Sequence, residues 1–151
     1  MIIIVDKKGA IDEFIKVVDN VLKNESVKGL LILACNINGF TPANIDQHLK
    51  NTNAPIFGSI FPQIIYGNEK LERGTIVAGF SKKPDVHIVH NLSDTSIEFE
   101  QTLDEQIPDT DKSNTMFVFV DGFSKRLSAL IDSLFNVFGL EFNYIGGVRA
   151  L

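Results

Sequence analysis

The stretch TMFVFVDGFSKRLSALIDSLFNVFGLEFNYIGGVRAL, residues 115–151, decides the fold. Residues 115–120 are a continuous β-rich apolar run, the mark of a strand covered on both faces. Asp121-Gly122 turns it. Ser124 stands where a helix cap belongs. Leu127, Leu130, Ile131, Leu134, Phe135 and Phe138 then recur at three- and four-residue spacing as one apolar stripe. Gly139 ends that helix. Residues 142–145 open a second short strand, followed by Gly146-Gly147. Everything upstream reads as further copies of this layering.

Residues 1–5 (MIIIV) are a short strand ending at Asp6, and Ile11, Phe14, Ile15, Val18, Val21 and Leu22 line one face of a helix. Asp12 and Glu13 sit in its first turn, where acids complement the helix dipole. KGLLILACN (28–36) is a second continuous apolar strand. Thr41-Pro42 starts a short helix running to about Lys50, with Ile45 and Leu49 buried. APIFGSI (54–60) is a third strand, broken at its end by Gly58-Ser59. Residues 63–66 form a short strand, and 67–74 a charged turn. GTIVAGFS (74–81) and VHIVHNL (86–92) read as an antiparallel pair, because Lys82-Lys83-Pro84-Asp85 is too short for a parallel crossover. A short helix over Ile97, Phe99, Leu103 and Ile107 ends before Pro108. No internal repeat is visible. The pattern predicts an α/β protein: a mixed β-sheet with helices packed on it, in the order βαβαβββ(α)βαβ, as a single domain over residues 1–151.

Composition narrows the function. The 151 residues, 44% hydrophobic and 22% charged, are enough for one well-buried core. Of 19 acids, seven lie within residues 94–111, which hold no Lys or Arg, so the other 12 nearly balance the 14 basic residues. No basic stripe exists to neutralise phosphates, which argues against nucleic acid. No apolar run reaches the ~20 residues of a membrane helix. The apolar start has no basic flank and is too short for a signal peptide, and the single Cys35 fits a reducing compartment. The expected location is cytoplasmic, without membrane contact.

Three buried runs end in a polar residue: Asp6, Asn36 and Asp121. Ligands of open α/β sheets bind outside the carboxyl ends of strands, so these residues are candidate pocket groups, although chains also surface through such residues in Asx-turns. Gly58-Ser59 and Gly146-Gly147 would let the backbone approach a ligand closely, or make a bulge or tight turn. Neither belongs to a nucleotide loop. His87 and His90 lie three apart on an expected strand and point to opposite faces, which rejects a shared metal ion. Ser59 lacks a nucleophile elbow, and Cys35 sits in an apolar strand where its thiol is not activated. No catalytic constellation and no cofactor is expected.

These segments together resemble the N-terminal part of a FIST domain, a sensory module of prokaryotic and eukaryotic signal-transduction proteins. The matching parts are AIDEFIKVVDNVLK, GLLILACN, APIFGSIFPQII, GTIVAGF and MFVFVDGFSKRLSALIDSLF…YIGGVRA. This chain departs where the family has small residues and a Gly-Glu pair: here Ile60, Phe61, Pro62 and Gln63 follow Gly58-Ser59, making any pocket there more apolar. The family also continues beyond the GG segment, so the resemblance implies part of a larger domain. It further implies a non-enzymatic sensor of a small molecule, an amino acid being the suggested class. Asp6, Asn36, Gly58, Ser59, Asp121, Gly146 and Gly147 would form the pocket, with Arg149 available as a carboxylate fork. The alternative is an interaction module, in which a homodimer or a signalling partner covers the edge strand at residues 142–145.

Overall fold

Ile2–Asp6 (β1) is short and apolar, and the chain leaves it through a turn built by its last residue. Lys8 and Gly9 N–H groups donate to the Asp6 carboxylate at 2.8 and 2.7 Å, aiming the chain into α1 (Ile11–Leu22). The α1 stripe buries Phe14, Val17, Val18 and Val21. Each such side chain contributes about 1.5–3 kcal/mol relative to exposure. β2 (Gly29–Cys35) follows, then a single 3₁₀ turn at Asn36–Asn38 and α2 (Pro42–Lys50). As expected, α2 starts with Pro42 in its first turn, and Asn44 Oδ1 accepts the Thr41 N–H at 2.8 Å. β3 (Ile56–Phe61), β4 (Ile64–Tyr66), β5 (Glu69–Leu71) and β6 (Thr75–Phe80) complete this part.

The computed structural model describes residues 1–107 and 115–149, of which Arg149 is placed by its backbone. The chain divides into two compact units, Met1–Val86 and His87–Ala150. In the first, the sheet order is β1-β6-β2-β3. β6 runs antiparallel to both neighbours, and β2 and β3 are parallel across the α2 crossover. Both α1 and α2 pack on one sheet face, where Phe14 meets Phe40 with ring centroids 4.9 Å apart. The β4–β5 hairpin turns through Gly67, φ +58°, and packs Ile64 and Leu71 against Cys35 and Ile76 on the other face.

The second unit contains α3 (Phe99–Gln106), β7 (Thr115–Asp121), α4 (Leu127–Phe138) and β8 (Asn143–Arg149). β7 and β8 are parallel, and α3 and α4 cover one face through Phe99, Leu103, Leu130, Leu134 and Val120. The Arg126 guanidinium donates to the carbonyls of Asp94 and Ile97 at 2.5 and 2.8 Å and stacks over Phe99, 4.5 Å from its centroid.

The α/β class stands, with mixed strand directions and helices on the sheets. Five local expectations change. Residues 86–92 are not a strand: β6 is central, both its edges are hydrogen-bonded to β1 and β2, and no edge remains for a hairpin partner. His87 and His90 consequently lie off any strand, and the opposite-faces reasoning lapses. The charged turn at 67–74 contains β5, because Tyr66 and Glu69 pair across a two-residue loop. Ser124 does not cap α4; its N–H bonds to Asp121 O at 3.0 Å in a turn, and Arg126 occupies the cap position. Finally, Gly58-Ser59 and Gly146-Gly147 lie inside β3 and β8 rather than at their ends. The short helix before Pro108 is present as α3, while Pro108 itself lies outside the described residues.

The reason for those internal glycines exposes a repeat of topology that the sequence hides. In β2–α2–β3, Gly58 pairs with Ile32; in β7–α4–β8, Gly146 pairs with Val118. A Cβ on either glycine would stand 1.8 Å from the partner's carbonyl oxygen. Each unit therefore carries helix, strand, helix, parallel strand, with both helices on one face and a glycine in the closest pairing position.

Candidate functional site

The expected residues fall four to each unit. Asp6 and Asn36 lie at the same end of the first sheet, since β1 and β2 run parallel on either side of β6. Asp6 and Ala34 both stand opposite Thr75. Asp6 is buried and each of its oxygens accepts a backbone N–H of the following turn. Asn36 begins the 3₁₀ turn and is exposed. The residue that reaches inward is Asn38. Its amide donates to Gly74 O at 2.8 Å and to Thr75 Oγ1 at 3.3 Å, and its oxygen accepts the Gly74 N–H at 3.0 Å. Thr75 is fully buried, and the space beside Gly9 is filled by Asn38 and Arg73. Sequence reading stopped at the polar residue ending β2 and missed the Asn two places on; the N-I-N-G run was its only signal.

Gly58 and Ser59 pair with Ile32 and Leu33, in mid-strand. Gly58 belongs to the helix-covered face and Ser59 to the other, so they do not act as one pair toward one space.

A concavity of about 760 Å³ lies at the opposite, amino end of β2 and β3. Asp19 and Leu22 of α1, His48 of α2, Lys28, Asn51, Thr52 and Lys83 are among its walls. His48 Nε2 is 3.1 Å from Asp19 Oδ1 but out of line for a hydrogen bond. Lys28 Nζ already donates to Glu25 O at 2.9 Å. None of the expected residues is here.

In the second unit, Asp121 caps its own turn by accepting the Phe123 N–H at 3.1 Å. Its backbone is in register with that of Arg149. Gly146 and Gly147 line a cavity of about 200 Å³ between α4 and the β7–β8 pair, with Val118, Leu127, Ile131, Phe135 and Tyr144. The Tyr144 hydroxyl sits 2.9 Å from Gly139 O and 3.2 Å from Leu134 O, and burial pushes its pKa up.

Cys35 is fully buried, its thiol donates to Leu71 O at 3.3 Å, and desolvation raises its pKa, offset in part by a backbone hydrogen bond from Ile64. Thiolate is the reacting species, so Cys35 is inert in the folded chain. A thiol-disulfide reagent at neutral pH is expected to label it only as fast as the chain unfolds; prompt stoichiometric labelling of native protein would contradict this. The pH dependence has the same origin. Cys35 and Tyr144 are both neutral when folded and both have raised pKa values, so their contribution to stability is complete below their ordinary values. It is lost as pH rises through the folded values. Chemical denaturation is expected to show stability declining above about pH 9.

Two parallel strand–helix–strand crossovers, each with a concavity beside its helix, define an α/β protein. The chain belongs to the FIST family: the FIST N domain model matches residues 29–150. FIST domains are associated with sensory signal transduction. No curated protein and no solved structure matches the chain. No helix among the described residues is long and apolar enough to cross a membrane.

Proposed function

We propose that this chain is a non-enzymatic small-molecule sensor of the FIST type, acting in the cytoplasm and reporting ligand occupancy to a signalling partner. The observation that carries the reading is the cavity of the second unit, because two residues expected at a ligand, Gly146 and Gly147, form part of its wall. The other expected groups, Asp6, Asn36, Gly58, Ser59, Asp121 and Arg149, belong to the same proposal, and all but Asp6 fall within the residues the family model matches. Of these, Asp6 and Asp121 already hold local turns together, so their part is to shape loops rather than to offer free oxygens. The family match runs across both units, and the proposal treats residues 1–151 as one FIST N domain.

The test is a thermal-shift screen of the full chain against amino acids and other small metabolites. A ligand at 100 times its Kd stabilises by about 2.7 kcal/mol, a rise of roughly 5–10 °C for a chain of this size. A flat response across the panel would remove the reading.

An interaction module is the second reading. Ile145 and Val148 of β8 are 51% and 46% exposed, and β8 pairs with β7 alone among the described residues. Such a strand is a template for another chain. Light scattering decides it: a concentration-independent monomer that binds small ligands excludes homodimerisation as the function.

A further inference from the structure

We propose that the cavity beside Gly146 accepts a compact uncharged apolar group, an aromatic ring or branched hydrocarbon, rather than the ammonium and carboxylate of an amino acid. This rests on the small-molecule reading above and names the ligand class for that site.

The space is enforced by the strand pairing itself. Gly146 lies on the face of β8 turned toward α4, in register with Val118, and any Cβ there would stand 1.8 Å from Val118 O. No side chain can grow into the gap from the strand below. In the first unit the matching crossover has the same glycine, Gly58, but α2 sends Ile45 and Leu49 into the core on that face. In the second unit α4 sends Leu130 and Leu134 to the same face, and an open recess of about 200 Å³ remains along β8. An enclosed apolar cavity of about 150 Å³ in another protein binds benzene, so this open recess has room for one ring.

Wall chemistry sets the class. Val118, Val120, Leu127, Ile131, Leu134 and Phe135 supply hydrocarbon. The side-chain polar atom among the lining residues is the Tyr144 hydroxyl, already placed against two carbonyls at the end of α4. A charged group seated against these walls would give up hydration with no side-chain partner inside, whereas an apolar ring loses nothing by entering. Ile131 and Phe135, each 40% exposed, stand at the rim and leave the space accessible. The recess has room for one ring and is walled by hydrocarbon on both sides, which favours a small apolar molecule as its occupant.

The experiment is methyl NMR of the full chain titrated with toluene and indole and, separately, with a set of amino acids. The expected result is saturable shifts from the apolar probes at the methyls of Val118, Leu127, Ile131 and Leu134. Ile131→Trp, which fills the space from its exposed rim, should weaken them by about tenfold or more. Val148→Phe is the second blocking variant if the first does not fold. Amino-acid binding without response to toluene or indole overturns the ligand class and leaves the sensor reading intact. No saturable response to any probe overturns both. Toluene binding unchanged in the folded variants places it elsewhere and overturns the proposal, as do concentration-dependent shifts of the same methyls in ligand-free protein, which mark another copy as the occupant.

Discussion

Gly58→Ala is expected to abolish folding of the first unit or to cost at least about 3–5 kcal/mol, by the sum of backbone strain and overpacking. Gly58 has φ +143°, where side chains are rarely tolerated, and an added Cβ would lie 1.8 Å from Ile32 O and 2.9 Å from Ile32 N. Those atoms are main chain inside a parallel ladder, so nothing can swing aside. Gly146→Ala meets Val118 O at the same 1.8 Å but has no left-handed φ, so its cost is the overpacking part alone, about 1–3 kcal/mol. Gly39→Ala is the control. It has φ +69° with nothing within 4 Å, so its cost is the conformational preference alone, about 1 kcal/mol. Urea denaturation of the three variants would check the ordering. A Gly58→Ala protein as stable as Gly39→Ala would mean that the β2–β3 spacing is not what the register implies.

Asn38→Leu carries the second largest effect, about 2–4 kcal/mol. Asn38 ties the turn after β2 to the start of β6 by three hydrogen bonds, accepting the Gly74 N–H and donating to Gly74 O and Thr75 Oγ1. Gly74 O keeps the Cys35 N–H at 3.0 Å when Asn38 is lost, but the Gly74 N–H and the fully buried Thr75 hydroxyl lose a partner. A buried polar group stripped of its partner costs about 1–3 kcal/mol, and leucine cannot replace either bond. Asn36→Leu removes an exposed side chain and should change stability by less than about 0.5 kcal/mol. Equal denaturation midpoints for the two leucine variants would refute the assignment of Asn38 as the tie.

The candidate site was legible only in part. Gly146-Gly147 was singled out as a place where the backbone comes close to something, and it does line a cavity; the close approach, however, is to Val118 of the neighbouring strand. The polar strand ends admit two readings, pocket groups or Asx-turns, and Asp6 and Asp121 accept backbone N–H groups of the turns that follow them. Both outcomes have one cause. A glycine or an aspartate shows that local backbone conformation is special, but not whether the atom filling the adjacent space belongs to a ligand or to the chain. Asp19 and His48, on separate helices and 29 positions apart, were invisible as a pair because only packing brings them within 3.1 Å.

What the sequence determined by itself was the elements: α1, α2, α3 and α4 from apolar spacing, β2 and β7 from unbroken apolar runs, and the α/β class from their alternation. Period and propensity act within a few residues, and the chain displays them directly. Only the tertiary structure decided that β6 enters the middle of the first sheet. That placement denied residues 86–92 a partner edge. It likewise decided that Gly58 and Gly146 occupy matching register positions in two crossovers of unlike sequence. Strand order and register depend on which edges are already taken and on contacts between residues far apart in sequence, such as Leu30 with Ile56 and Val118 with Gly146, and no local pattern records them.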